Sequence, residues 1–385
     1  MFEKENQTNS ISEHTIENHC EKSKISSGRK AVVMKSIIAI SILGLCVLLF
    51  LNRETGESLH RKGLDAYNRE DYETAVSHFM EAAKKHNYAE AQNSLASHYY
   101  YGEGIDESSG EAVYWFRMAA EQGHDLAQYN LGTCYYNGKG IHKSYEEAVH
   151  WFHLAAEQGY DLAQYNLGNC YNDGDGAPQD YNEAFYWYNL AAEQGHMEAQ
   201  NNLGGCYSKG NGVQQDYEKA FYWYSLAAEQ GDEIAQFNVG GCYYYGYGVS
   251  QDYEKAVQLF KPMAERGFAD AQHALGECYQ NGRGVATNLR EGFRLYRKAA
   301  DQGHALAQFK LGGCYSSGIG VAKNINEGLK WINKSAGQGL PEAQYALGLY
   351  YQHSDEVMAF AWMSHAAAQG HTLAQKWLEK NVYGF

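Results

Sequence analysis

Residues 125–160 read DLAQYNLGTCYYNGKGIHKSYEEAVHWFHLAAEQGY, and this stretch decides the fold. It carries two apolar patterns. Ala127, Leu131, Cys134 and Tyr135 fall at i, i+4, i+7 and i+8, and Ala148, Trp151, Phe152, Ala155 and Ala156 follow with similar helical spacing. Each pattern gives one buried stripe on an α-helix, and neither alternates as a strand would. Gly138 and Gly140 end the first helix and open the loop, and Gly159 ends the second. Glycine suits the left-handed conformations that helix ends and tight turns need. The stretch is a helical hairpin, helix A followed by helix B, and Tyr145, just before helix B, is expected to wedge between the two.

The hairpin is copied. Cys134, Cys170, Cys206, Cys242, Cys278 and Cys314 are spaced 36 residues apart. So are the Ala-Gln pairs beginning at Ala91, Ala127, Ala163, Ala199, Ala235, Ala271, Ala307 and Ala343, with one more after a shortened interval at Ala374. A period of this length means a repeat array, about nine copies here, rather than one globular core. A lone hairpin would lose on the order of 50 kcal/mol of conformational entropy and bury only one stripe. Stability must therefore come from stacking between copies. A glycine inside helix A costs roughly 1 kcal/mol against alanine. Its recurrence at Gly132, Gly168, Gly204, Gly240, Gly276, Gly312 and Gly348 implies close helix–helix contact.

The pattern A-Q-x-x-L-G-x-x-Y-x-x-G-x-G-V, then A-x-x-W-Y-x-x-A-A-E-Q-G, resembles the Sel1-like repeat over roughly residues 89–380. That family is a relative of the tetratricopeptide repeat with a longer loop inside the hairpin. The resemblance implies an all-α, right-handed α/α solenoid occupying residues 88–385. It also implies adaptor roles in protein assemblies, in bacteria including signalling, envelope maintenance and host contact. Residues 55–87 lack the G-x-G loop, but Gly63, Ala75, Phe79 and Ala82 have tetratricopeptide spacing, so this segment is expected to cap the array. The copy from Pro341 is shortened and has also lost its G-x-G, as terminal repeats often do.

The chain has 385 residues, 33 tyrosines, three prolines and a formal net charge of −15. No basic stripe stands out, which disfavours nucleic-acid binding. Residues 1–30 are polar and read as a disordered tail. Residues 31–51 are almost entirely apolar, broken by Lys35 and two serines. A helix of that length spans roughly 30 Å, enough for one transmembrane pass. Lys22, Lys24, Arg29, Lys30 and Lys35 precede or enter the span. By the positive-inside rule the tail is then expected in the cytoplasm and the array outside, in the periplasm if the membrane is a bacterial inner membrane.

Catalytic signals are weak, and the chain is read as no enzyme, with no cofactor and no metal. Equivalent cysteines in consecutive copies sit roughly 10 Å apart by helix-packing distances, beyond the ~7 Å disulfide limit, so they read as small core residues. The cysteine-rich branch of the Sel1-like family carries two bridged cysteines per repeat, and this chain has no second one. Some members of that branch are linked to β-lactams, but the S-x-x-K string at Ser27–Lys30 has no scaffold to hold it. The G-x-G loops lack the G-K-[ST] of a phosphate site. His124, His196, His304 and His371 lie one per loop, a poor pattern for metal ligation. Glu121, Glu157, Glu193 and Glu229 near the end of helix B are expected to bond between repeats.

Positions that agree between copies build the fold, and positions that vary on one face are free to bind. By analogy with tetratricopeptide arrays, helix A lines the inner face. Its variable positions are Tyr129, Thr133, Tyr136 and Asn137; then Tyr165, Asn169, Asn172 and Asp173; then Asn201; then Phe237, Tyr244 and Tyr245; then His273, Glu277 and Gln280. Tyrosines beside amides suit peptide capture, because tyrosine offers area and one polar handle at low entropy cost. The expected function is a membrane-tethered scaffold for protein or peptide partners. A periplasmic glycan- or cell-wall-associated factor is the main alternative, ahead of a β-lactamase-like hydrolase or a membrane-protein quality-control component.

Overall fold

A computed structural model describes residues 54–382. Among these residues there are nineteen α-helices and no strands. The proposed tail (1–30) and membrane span (31–51) lie outside the described residues. Among those described, no helix is long and apolar enough to cross a membrane.

The helices fall into two compact units divided after Gln122. The first holds α1 (Gly56–Tyr67), α2 (Tyr72–His86), α3 (Ala89–Tyr101) and α4 (Ser109–Ala120). Its first hairpin turns in four residues and has no G-x-G loop. The side chain of Asp71 accepts a hydrogen bond from the Thr74 N–H to start α2, and a Cβ on Gly63 would overlap the Phe79 ring.

The second unit stacks seven hairpins and one last helix. Its A helices are α5 (Asp125–Asn137), α7 (Asp161–Asp173), α9 (Met197–Lys209), α11 (Glu233–Tyr245), α13 (Ala269–Asn281), α15 (Ala305–Ser317) and α17 (Pro341–Tyr351). The alternating B helices are α6 (Tyr145–Glu157), α8 (Tyr181–Glu193), α10 (Tyr217–Glu229), α12 (Tyr253–Arg266), α14 (Leu289–Asp301), α16 (Ile325–Gly337) and α18 (Glu356–Ala368). The ninth Ala-Gln pair lies in α19 (Thr372–Val382), which has no partner helix B among the described residues.

Each recurrent feature of the sequence has a mechanical counterpart. The mid-helix glycine receives the large side chain of its own helix B. A Cβ on Gly168 would stand 2.7 Å from the Tyr188 ring, and one on Gly132 would stand 2.7 Å from Phe152. No side chain fits there without pushing the hairpin apart. The second loop glycine fixes the stacking. Gly176 has φ +76°, and a Cβ on it would collide with the Tyr145 carbonyl at the start of the preceding helix B. The six repeat cysteines are buried and unbridged, and burial pushes the Cys170 thiol up to about 12.

The glutamates near the end of helix B do not make the expected inter-repeat bond. Glu121, Glu157, Glu193 and Glu229 are exposed, and the glutamine that follows each of them bonds instead. Gln158 donates to Gln128 at 2.8 Å and Gln194 to Gln164 at 2.8 Å, helix B to helix A within one hairpin. The helix-A glutamine then donates to the preceding hairpin, as Gln164 does to the Ala156 carbonyl at 3.1 Å. This covers one of the carbonyls that a helix C-terminus leaves open. The hairpin of α11 and α12 departs from the pattern: Arg266 stands where the others have glutamine and pairs with Glu233 at 2.9 Å.

The loop histidines cap helices. His124, His196, His304 and His371 accept the N–H three residues ahead through Nδ1, and Asp232 does the same at the equivalent place. Tyr145 packs edge-on against Tyr136 of its own helix A, as a wedge should. Its equivalent Tyr181 is exposed, and Tyr217 stacks on Tyr247 in the following loop.

Candidate binding trough

Three depressions follow one another along the helix-A side of the second unit. The first, of about 360 Å³, is lined by Thr133, Tyr136, Asn137, Phe152, Tyr165 and Asn169 among others. The second, of about 420 Å³, begins at Asn169 and includes Asn172, Asp173, Asn201, Asn202 and Lys209. The third, of about 360 Å³, shares Tyr224 and Asn238 with the second and reaches Leu306. Shared walls make the three one trough.

Of the residues proposed from sequence, all but Tyr129 and Gln280 line this trough. Tyr129 packs its ring against Phe152 and Tyr160. Several of the others also serve the fold. Tyr136 donates its hydroxyl to Asp175 of the next loop at 3.0 Å; burial and that carboxylate raise its pKa. Tyr244 is not the exposed aromatic that its sequence position suggests. It is only 5% exposed, and Arg283 of the next loop donates to its hydroxyl at 2.5 Å. Tyr245 beside it is 57% exposed and forms the open wall. Phe237 lies against Phe260 and Phe268.

The floor is set by two helix-A positions that face each other across consecutive repeats. Asn202 donates to Asn169 at 3.3 Å. Lys310 donates to Glu277 at 2.7 Å in the same register. Asn238 faces a glycine, Gly205, and donates to Asn201 instead at 2.9 Å. Sequence reading missed Asn166, Asn202 and Asn238. Their signal was available in the 36-residue column that continues into Ala274 and Lys310, where polar, small and charged residues alternate at one helical position. The middle depression is consequently rich in carboxamides, which both donate and accept.

His273 lines the third depression. Its ring stacks on His304, and its buried Nε2 has no hydrogen-bond partner among the described residues. Burial, with a smaller opposing pull from Glu277, holds its pKa down at about 4 and keeps the ring neutral.

The model of the Sel1 repeat matches residues 89–124, 125–160, 161–196, 198–232, 234–268, 269–304, 305–340 and 341–371. The chain belongs to the Sel1 repeat family. Sel1 repeat arrays are α-solenoids related to tetratricopeptide arrays; they typically serve as protein-interaction scaffolds and are generally not enzymes. Two solved structures share the fold at appreciable identity. One is the crystal structure of c5321, a protective antigen present in uropathogenic Escherichia coli strains. It is 37% identical with a TM-score of 0.66, over 83% of this chain and 70% of that one. The other is a Sel1 repeat protein from Oxalobacter formigenes, 33% identical with a TM-score of 0.58, over 63% of this chain and 99% of that one. No curated protein matches the chain.

Proposed function

We propose that this Sel1 repeat protein holds protein partners against a membrane, with the helix-A trough as the binding surface. The trough itself carries the reading. The six copies between residues 125 and 340 keep the mid-helix glycine, the helix-A glutamine and the cysteine, while the trough-facing helix-A positions change chemistry from copy to copy. Chemistry that varies along one continuous trough is what a scaffold needs to recognise an extended segment. Residues 31–51 serve as the tether, with residues 1–30 in the cytoplasm and the repeats on the far side, periplasmic in a bacterium.

The test is site-specific photo-cross-linking in cells. p-Benzoylphenylalanine placed at Tyr245, on the trough wall, should trap discrete protein adducts. The same group at Tyr222, on the exposed side of α10 and 55% accessible, should not. Equal labelling at both sites, or none at Tyr245, would overturn the assignment. Protease accessibility in intact cells against spheroplasts tests the orientation: only spheroplasts should lose the array.

One observation favours a second reading, a glycan ligand. Tyr217, Tyr247 and Tyr245 form a stacked run of rings, 4.5 and 5.3 Å apart, beside the carboxamide-rich depression. Muropeptide adducts at Tyr245 in place of protein adducts would support it.

A further inference from the structure

The depression between α11 and α13 differs in kind from its neighbours. At the facing positions where other interfaces place Asn169 with Asn202, or Glu277 with Lys310, this one has Gly241 and Ala274. Neither can bridge the gap, so a cavity opens with Phe237, Phe260, Tyr224 and Tyr244 among its walls. The exposed rings of Tyr245 and Tyr247 stand at its mouth. Gly313 and Ala346 repeat the small pair two copies on, but the tyrosine positions there hold Ser316, Ser317 and Ile319. Of these two small-pair interfaces, the aromatic lining thus belongs to α11–α13.

Three properties define an occupant. The walls are aromatic, and aromatic rings gain from edge-on or offset contact beyond simple burial. His273 lines the same cavity with a buried Nε2 lacking a partner among the described residues. With the ring proton on Nδ1, a phenol O–H or indole N–H that reaches Nε2 can supply that missing hydrogen bond, and an aliphatic side chain cannot. The lining is also acidic. Asp270 and Glu277 flank the cavity and Asp173 lies further along the trough, while Lys209 is the cation among the lining residues. Lys310 matches Glu277 and Lys209 offsets Asp173, which leaves Asp270, hydrogen-bonded to His304 at 3.2 Å, to attract a positive chain.

We infer that the Gly241–Ala274 cavity seats a tyrosine or tryptophan side chain carried by a basic, extended segment of a protein partner. This rests on the trough being a peptide site and names what that site selects. The segment continues from the cavity towards Asn238 and Asn202, whose amide N–H groups are tied to Asn201 and Asn169. Fixed in this way, their side-chain oxygens are ready to accept backbone N–H groups.

The experiment uses the full chain in lipid nanodiscs and a phage library displaying random twelve-residue peptides. Enriched peptides should carry Tyr or Trp with Lys or Arg close by, and their binding should weaken as salt is raised. Gly241→Asn installs the residue found at the equivalent Asn169. A Cβ at Gly241 meets nothing within 4 Å, and the same is true at Gly313, so both substitutions leave the fold intact. Gly241→Asn should reduce affinity for an enriched, fluorescein-labelled peptide at least tenfold, and Gly313→Asn should leave it unchanged. Replacing the anchor Tyr by Phe should cost several-fold. Peptides that bind without an aromatic–basic signature, or that ignore Gly241→Asn, would overturn this inference and leave the peptide site standing. Failure to enrich any peptide, with muropeptides bound instead, would overturn both.

Discussion

Gln194 donates through Nε2 to Oε1 of Gln164 at 2.8 Å, and this one bond joins the two helices of a hairpin at their open end, opposite the loop that connects them. Gln164 is itself almost wholly buried and passes the connection on to the Ala156 carbonyl of the previous hairpin. The glutamines therefore link helix B to helix A, and helix A to the previous helix B. Gln164→Ala removes both bonds: the Ala156 carbonyl keeps the Gly159 N–H, and the exposed Gln194 amide turns to water. A net hydrogen bond contributes about 0.5–1.5 kcal/mol. Urea denaturation should show the array destabilised by at least ~1 kcal/mol. An unchanged midpoint would mean that water replaces both bonds without loss.

Two kinds of helix-A glycine should respond in opposite directions to alanine. Gly168→Ala forces a methyl into the Tyr188 ring, and overpacking of this kind costs about 1–3 kcal/mol. Gly313 is helical with nothing near its missing Cβ, so Gly313→Ala should stabilise by roughly 0.5–1 kcal/mol. Thermal melting of both variants checks the sign. Stabilisation at Gly168 would show that the hairpin is not in close contact there.

Histidine capping predicts a conservative exchange. His196 accepts the Ala199 N–H through Nδ1 and stacks on Tyr165 at 4.7 Å. Loss of a capping acceptor costs about 0.5–2 kcal/mol. His196→Ala should fall in that range, and His196→Asp should recover most of it, because Asp232 already caps α11 in the same way. Equal destabilisation by Ala and Asp would assign the histidine's role to ring packing instead.

These examples show which features a sequence exposes. The hairpin, its period and the tight contact at Gly132 were legible, because steric demand excludes every residue but one and the pattern repeats. The buried glutamines were visible as markers, yet their bonds were not. They join residues 30 and 8 apart in sequence, and no local spacing encodes such a pairing. The same gap explains why the adjacent Glu193 was chosen over Gln194. His196 was read as a loop residue because histidine is an unusual cap; Asp232 at the equivalent place was the clue. In the trough, Tyr244 and Tyr245 are neighbours on one helix and look alike in sequence. Arg283 of the next repeat holds the hydroxyl of the first, and only the second faces outward.

The buried thiols give a prediction with a definite pH window. Burial raises Cys134, Cys206, Cys242 and Cys314 from 9.0 to about 11, and Cys170 and Cys278 to about 12. A folded pKa above the unfolded one means that the unfolded chain loses protons first as pH rises. The thiols' contribution is therefore complete below pH 9 and is lost progressively between about 9 and 12. His273 acts at the other end. Its folded pKa of about 4 lies below its ordinary 6.5, so its contribution is complete above pH 6.5 and disappears as pH falls towards 4. The urea midpoint should decline on both sides of a plateau between roughly pH 6.5 and 9. His273→Phe should flatten the acid limb, and Cys170→Ala should make the alkaline limb shallower. Thiolate is the reactive species, so iodoacetamide at pH 8 should leave the six repeat cysteines unmodified in the folded protein and label all six in urea. Peptide mass spectrometry reads this directly. Rapid labelling of Cys170 without denaturant would show that the interface between hairpins opens far more readily than its packing implies.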